Sequence, residues 1–503
     1  MTGGKLRLSQ ATLAALPQAI ARPAYDRAAV ETGIVHLGIG AFHRAHQAVY
    51  VDSILAAGDR RWGILGASLR SAETRDALKP QDGLYTVWSR GAASDDLRVI
   101  GSIGSVLVAP EDPAALLAAL CRPSVKIVSL TVTEKGYCHL PASGALDEDH
   151  PDIRHDLANP ERPRSAPGFI VAAMARRRAA GLAPFTPLSC DNLPANGETL
   201  RKIVSRFAAL RDAELGRYVE DAIRFPSTMV DRIVPATTDA DRAAVAERLG
   251  LQDGWPIITE TFSQWVVEDA FGPGGRPDWA AFGATFANDI APFELTKLRL
   301  LNGAHSTLAY LGCLCGHATV AEAMAAPGFA RLIRAMMDEE VTPELPSISG
   351  FDITAYKDSL IARFRNPTLR HRTTQIAMDG SQKLPQRLLN TIRARLVRGA
   401  PFECLALGVA AWMRYAIGWD EQGRPIEVND PLARAIRDRT DGIRDAGSLL
   451  EAFLSFESVF GSDLSSDPRF KETVERRLSG LLAIGAAATV AAGGAVFSSV
   501  FQG

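Results

Sequence analysis

The stretch Phe293-Glu294-Leu295-Thr296-Lys297-Leu298-Arg299-Leu300-Leu301-Asn302-Gly303-Ala304-His305 sets a lysine, an amide and an imidazole into an otherwise apolar, helix-prone run. At about 100° per residue, Asn302 lies about 140° around an α-helix from Lys297, and His305 falls between them at about 80°. One broad face then presents all three groups to the same small molecule. A carbonyl being reduced needs such a set: a proton donor, and hydrogen-bond donors around the developing alkoxide. The plainer alternative is a helix whose Lys297 snorkels to solvent while His305 satisfies a buried hydrogen bond.

Redox chemistry on a carbonyl also needs a hydride carrier, and the N-terminal sequence offers a place for one. The β-prone run Gly33-Ile34-Val35-His36-Leu37 enters Gly38-Ile39-Gly40-Ala41-Phe42-His43-Arg44 and continues with helical composition from Ala45 to Ala57. Strand, Gly-x-Gly, helix lets a dinucleotide pyrophosphate approach backbone amides at a helix N-terminus. His43 replaces the third glycine of the usual fingerprint, so the motif alone is weak. Its place on the first clear strand strengthens it. Gly38, Gly40 and Phe42 are the candidate cofactor contacts of this turn, with Arg44 as a charge-assisted phosphate contact. The second strand, Trp62 to Leu69, leads to Arg70-Ser71-Ala72-Glu73-Thr74-Arg75-Asp76. Glu73, with Asp76 in reserve, can accept from both ribose hydroxyls and repel a 2′-phosphate, which favours NAD. Arg70 and Arg75 act in the opposite sense, toward NADP. A third strand, Val125 to Thr133, delivers Thr133 and the Glu134-Lys135-Gly136-Tyr137 loop to the same edge, where cofactor or substrate contacts are expected.

The elements carrying these groups fall into two parts. Strands alternate with helices up to a strand at Phe185 to Ser189, the pattern of a parallel sheet covered on both faces. Beyond residue 285, Leu295 to Cys315, Phe329 to Glu340, Leu384 to Val397 and Phe402 to Ile417 all read as helices. The expectation is an α/β Rossmann-type N-terminal domain over 1–285 and a mainly α-helical C-terminal domain over 286–503. A length of 503 residues suits two large domains. Net charge of −2 with interleaved acids and bases argues against a nucleic-acid partner. Six scattered cysteines suit a reducing compartment, and Cys313-Leu314-Cys315 points its thiols apart, so no metal is expected. The start, Met1 to Lys5, leads into no apolar secretion-signal core. The uncharged run Leu481 to Val500 reaches membrane-spanning length but is mostly Ala and Gly, so a terminal helix packed on the body is expected in place of an anchor.

The chain resembles the polyol-specific long-chain dehydrogenases, the mannitol dehydrogenase family that also includes D-fructuronate reductases. The resemblance runs from about Gly33 to beyond Asp467. It is carried by Ile34 to Gln47, Ser129-Leu130-Thr131-Val132-Thr133-Glu134-Lys135-Gly136-Tyr137-Cys138, Ser189-Cys190-Asp191-Asn192, Met229 to Ile233, Gln264 to Asp269 and the Lys297/Asn302/His305 helix. It implies a Rossmann-type domain, a mostly helical domain, an active site between them, no catalytic metal and a monomer. It also implies Lys297 as the catalytic lysine, Asn192 and Asn302 as alkoxide-binding amides, His305 as a substrate-orienting group and Glu294 as a proton relay. Glu73 is the acid that favours NAD, and Asp231 joins His305 in holding substrate hydroxyls.

Within the family, Leu369-Arg370-His371-Arg372-Thr373-Thr374-Gln375-Ile376-Ala377-Met378-Asp379-Gly380-Ser381-Gln382-Lys383-Leu384-Pro385-Gln386-Arg387 looks like the uronate-reducing branch, since Gln375 stands where the mannitol branch has arginine. Arg370, Arg372 and Lys383, backed by Arg387, are candidate ligands for a substrate carboxylate. A solvated basic face is the alternative. The expected function is therefore NAD-dependent interconversion of D-fructuronate and D-mannonate in the cytoplasm, with a polyol 2-dehydrogenase as the other reading. A lysine of ordinary pKa near 10.4 is a poor base at neutral pH, so burial and nearby donors must lower it.

Overall fold

Near-continuous burial along four short strands, with a fifth, more exposed strand at the edge, builds the sheet that organises the first part of the chain. The computed structural model describes residues 6–91, 95–140 and 143–496. Met1 to Lys5 and the last residues of the apolar tail, 497–503, lie outside the described residues. The chain divides into two compact units between Ala291 and Pro292.

The strands of the first unit are β1 (Thr32–Leu37), β2 (Gly63–Ser68), β3 (Tyr85–Arg90), β4 (Asp95–Ile100), β5 (Ile103–Val108), β6 (Ile127–Leu130), β7 (Thr186–Ser189), β8 (Thr228–Asp231), β9 (Ile257–Glu260), β10 (Gln264–Glu268) and β11 (Thr285–Ala287). The main sheet runs β5-β2-β1-β6-β7, and every pair in it is parallel. Side chains alternate between its faces with period two. Val35, Leu37, Leu65, Ala67, Val128 and Leu130 enter one core with Phe169 and Phe207. Ile34, Ile64, Ile127 and Leu188 enter a second with Tyr50, Trp62, Trp265 and Trp279. Strand order reverses at β1, between β2 and β6, and the carboxyl ends of β1 and β6 flank the crevice where open α/β sheets bind ligands.

Two smaller sheets, β11-β10-β8 and β4-β3-β9, complete the unit. The third strand expected from sequence, Val125 to Thr133, is shorter than its apolar run. Only Ile127–Leu130 pairs, and Thr133 leaves the sheet with a φ of 63°. The second unit is helical. Its long helices Gly303–Cys315 and Glu403–Ala416 pack on each other, and each packs on the terminal helix Pro468–Val496. Three of the expected helices contain a widened, π-helical turn: Lys297–Asn302, Met336–Val341 and Pro385–Leu389. No helix among the described residues is long and apolar enough to cross a membrane.

Candidate active site

In the first unit, the turn after β1 is built by close backbone approach. Gly38 has a φ of 88°, and a Cβ there would strike the Thr131 carbonyl oxygen at 2.2 Å. Thr131 Oγ1 donates to the Gly38 carbonyl at 2.8 Å and ties the ends of β1 and β6 together. At Gly40 a Cβ would meet nothing nearer than 3.9 Å, so its outer side is open to a ligand. Gly40 precedes the short helix Ala41–Ala45, and Phe42 stacks on His46 with centroids 5.1 Å apart. His43 is fully buried and stacks on His36 at 3.4 Å. Burial drives its pKa well below the usual imidazole value. It therefore takes the packing place of the missing third glycine as a neutral ring.

Arg44 requires a correction. Expected at a phosphate, it is 1 % exposed, donates Nη1 to the Trp255 carbonyl at 2.9 Å and lies over the Tyr85 and Trp255 rings. Burial lowers its pKa to about 10. The guanidinium cross-braces the unit from a buried position.

A cavity of about 620 Å³ opens at the carboxyl edge of the sheet, lined by Leu69 and Arg70 after β2, Ala109 after β5 and Lys135 and Gly136 after β6. Glu73 opens the helix Glu73–Leu78 and is exposed. Arg75 pairs with Asp76 at 2.7 Å and with Glu111, which holds this cation in an ion-pair network and leaves Arg70 as the arginine of this loop on the cavity wall.

Backbone strain collects at the same edge. Thr133, a β-branched residue, has a φ of 63°, and Ala195 has a φ of 42°. Asp191 holds the two loops together, accepting from Val132 N at 2.9 Å, Thr133 N at 3.0 Å and the Tyr137 hydroxyl at 2.8 Å. Desolvation raises its pKa against these donors. Asp191 was missed as a site residue in the sequence, although its place between β7 and Asn192 was a signal. Thr133, Glu134 and Asn192 are exposed around it, and Asp231 ends β8 at 3 % exposure.

In the second unit, the helix Ala291–Thr296 carries Glu294 and runs into the π-helical turn Lys297–Asn302. Gly303 N donates to the Leu298 carbonyl five residues back. The five-residue spacing that separates Lys297 from Asn302 by about 140° on an α-helix becomes slightly more than one π turn, which brings the two positions closer around the helix. Lys297, Asn302 and His305 are 8 %, 8 % and 7 % exposed. Among the described residues, neither Asn302 Nδ2 nor His305 Nε2 has a hydrogen-bond partner. His305 packs against Phe364 at 4.6 Å and His371 at 5.2 Å. Burial, then the charges of His371, Arg363, Arg387 and Lys297, hold the His305 pKa well below its usual value. It is a neutral hydrogen-bonding group.

The basic run meets this turn through His371, while its first two arginines lie at the surface. Arg370 is exposed with a φ of 46°, and Arg372 is exposed as the residue before the helix Thr373–Ala377. Lys383 donates Nζ to the Met378 carbonyl at 2.6 Å. Arg387 does approach the site, donating Nη1 to Ser306 Oγ at 3.1 Å, next to His305. Arg363, outside the motif considered in the sequence, acts on His305 as well.

Family profiles described as the mannitol dehydrogenase Rossmann domain and the mannitol dehydrogenase C-terminal domain match residues 32–281 and 289–482. The D-mannonate oxidoreductase of Escherichia coli (strain K12) is 46% identical over 477 residues, covering 94% of this chain and 98% of that protein. A mannitol 2-dehydrogenase of Pyricularia oryzae is 42% identical over 476 residues, covering 93% and 94%. Among solved structures, the ternary complex of Pseudomonas fluorescens mannitol 2-dehydrogenase with NAD and D-mannitol matches with a TM-score of 0.87. It shares 40% identity and covers 96% of this chain and 99% of that one.

Proposed function

Because the chain belongs to the mannitol dehydrogenase family, and is an NAD-dependent oxidoreductase acting on CH–OH groups, we propose that it oxidises a linear polyol at a secondary carbon to the ketose, with Lys297 as acid/base. The observation that carries this reading is the π turn that bears Lys297 and Asn302 next to His305, with Asn302 Nδ2 and His305 Nε2 buried and without partners among the described residues. An unsatisfied buried polar atom costs roughly 1–3 kcal/mol, and a substrate hydroxyl or alkoxide supplies the missing contact.

The nicotinamide, when bound, accepts the hydride. The residues do the rest. Lys297 takes the hydroxyl proton in oxidation and returns it in reduction, with Glu294 relaying it to solvent. Asn302 and Asn192 donate N–H groups to the alkoxide as charge grows, which stabilises it most where charge is greatest. Asp231 and neutral His305 hold neighbouring hydroxyls. Gly40 and Phe42 after β1, with Thr133 and Glu134 after the adjacent β6, would hold the pyrophosphate and nicotinamide half of the cofactor. Glu73 would accept from the adenosine ribose hydroxyls, and the neighbouring 620 Å³ cavity would take the adenosine base. Six free cysteines agree with work in the reducing cytoplasm.

Solvent exposure of Arg370 and Arg372, and the bond that ties the Lys383 ammonium to the Met378 carbonyl, support an uncharged substrate. A second reading, D-mannonate to D-fructuronate, is favoured by the 46% identity to a D-mannonate oxidoreductase and by Arg363 and Arg387, whose charges act on His305. The kcat/KM values for mannitol, arabinitol, sorbitol and mannonate with NAD, followed by nicotinamide absorbance, decide between them. A polyol at least ~10-fold better than mannonate supports the first reading. Mannonate preferred by the same margin overturns it in favour of the second.

A further inference from the structure

One cluster of side chains lies outside the reaction described above. Single ligand atoms of Cys138, His150 and Asp152 all lie within 4.8 Å of one another. The chain brings them together by folding back. Cys138 has a φ of 50°, Asp147 N donates to its carbonyl at 2.9 Å, and His139 bridges to Leu146. The start of the helix Pro151–Ala158 thereby returns beside the thiol.

The thiol and the carboxylate are unoccupied where the neighbouring acids are not. Asp156 accepts from Arg164 N, Ser165 N and Ser165 Oγ and pairs with His155, and Asp147 accepts from Asp149 N. Among the described residues, neither the Cys138 thiol nor the Asp152 carboxylate has a hydrogen-bond or ion-pair partner, and Cys138 is 4 % exposed. Cys138 and Asp152 both line the 620 Å³ cavity, as does Arg70.

We propose that Cys138, His150 and Asp152 bind a divalent transition-metal ion such as Zn²⁺ on the wall of this cavity, and that the ion and the dinucleotide exclude each other. The competition rests on the reading of the cavity as the adenosine pocket. Thiolate, imidazole and carboxylate form a mixed S/N/O set suited to Zn²⁺ and Co²⁺, leaving a fourth position to water. Mg²⁺ and Ca²⁺, which require oxygen ligands, are disfavoured. Binding releases the thiol proton to water as the metal–sulfur bond forms. His150 Nδ1 now accepts from Asp152 N at 3.2 Å. Ligation through either ring nitrogen ends that bond, because the free nitrogen must then carry the proton or the capping nitrogen is taken. Arg70 also repels a cation from the same wall. Both effects make the ion a reversible ligand and not a fixed structural one.

The test titrates chelator-washed full-length protein with Co²⁺. One equivalent should bind with a near-ultraviolet thiolate-to-cobalt charge-transfer band. Cys138→Ser should lack the band, and His150→Gln should weaken binding at least ~10-fold. If Cys138→Ser fails to fold, the His150→Gln and Asp152→Asn titrations carry the test. Saturating Co²⁺ should raise the apparent Kd for NADH in the parent and leave it unmoved in His150→Gln at the same concentration. Absence of the band, its persistence in Cys138→Ser, or unweakened binding in His150→Gln refutes the site. An NADH Kd indifferent to bound Co²⁺ refutes the competition. Protein that binds NADH without metal but never binds Co²⁺ refutes the metal site alone and leaves the cofactor reading standing.

Discussion

Asn302 is 8 % exposed and its Nδ2 has no partner among the described residues, so the protein alone does not explain why an amide stands there. A donor held for a developing alkoxide does. Asn302→Ala should therefore reduce kcat/KM by about 2–4 kcal/mol equivalent, acting on kcat. A rise in KM alone would assign Asn302 to uniform substrate binding. At the cofactor, Glu73→Ser should raise the NADPH-to-NADH ratio of kcat/KM, with Arg70 on the cavity wall to receive the 2′-phosphate. Because Arg75 is already paired with Asp76 and Glu111, Asp76→Ser should move this ratio less. An unchanged ratio in Glu73→Ser would place cofactor choice outside this loop. Residue types were readable in advance at Lys297, Asn302 and His305, whose polarity is conspicuous in an apolar run. Arg44 was misread because a linear motif does not reveal that Tyr85 and Trp255 close over it.

At the scale of elements, the helices were legible and their widened turns were not. Apolar spacing hardly distinguishes an α from a π turn over six residues, yet the difference sets how far apart Lys297 and Asn302 stand around the helix. Pro385 did leave a trace: inside a helix its ring clashes with the carbonyl four residues back and it lacks an N–H, and the turn widens there. Similarly, Val125 to Thr133 reads as one strand, but the strained backbone at Thr133 depends on Asp191, distant in sequence. The turn Met336–Val341 supplies a further cap: Glu340 accepts from Cys404 N at 2.7 Å and Leu405 N at 2.9 Å, in the first turn of Glu403–Ala416. Desolvation outweighs these donors and raises its pKa from 4.5 to about 7. The native state then keeps a proton that the unfolded chain has lost, so stability falls as pH rises from 4.5 to about 7 and is flat above. The loss attributable to Glu340 is at most about 3 kcal/mol. Glu340→Gln should flatten this window relative to the parent in thermal unfolding. Parallel pH profiles for the two proteins would remove Glu340 as the cause.

Considered as a whole molecule, the chain combines a doubly covered parallel sheet with a helical unit, an organisation legible from the switch between strand–helix alternation and helix-only sequence. The apolar tail was ambiguous because length alone meets the membrane threshold. Packing resolves its described part: Leu481, Ala486 and Val490 are buried, and the Val490 carbonyl would lie 2.4 Å from a Cβ on Gly328. Deleting residues 480–503 should destabilise the protein by several kcal/mol, since burying a Leu or Val contributes about 1.5–3 kcal/mol each. A thermal midpoint equal to the parent's would show that this packing contributes little. The central claim is that Lys297 moves the proton that accompanies hydride transfer, and single-turnover kinetics tests it most directly. With NADH prebound and the ketose product of the best polyol mixed in, Lys297→Ala should bind NADH as the parent does and transfer hydride at least ~10²-fold more slowly. A rate within about threefold of the parent would contradict Lys297 as the acid/base.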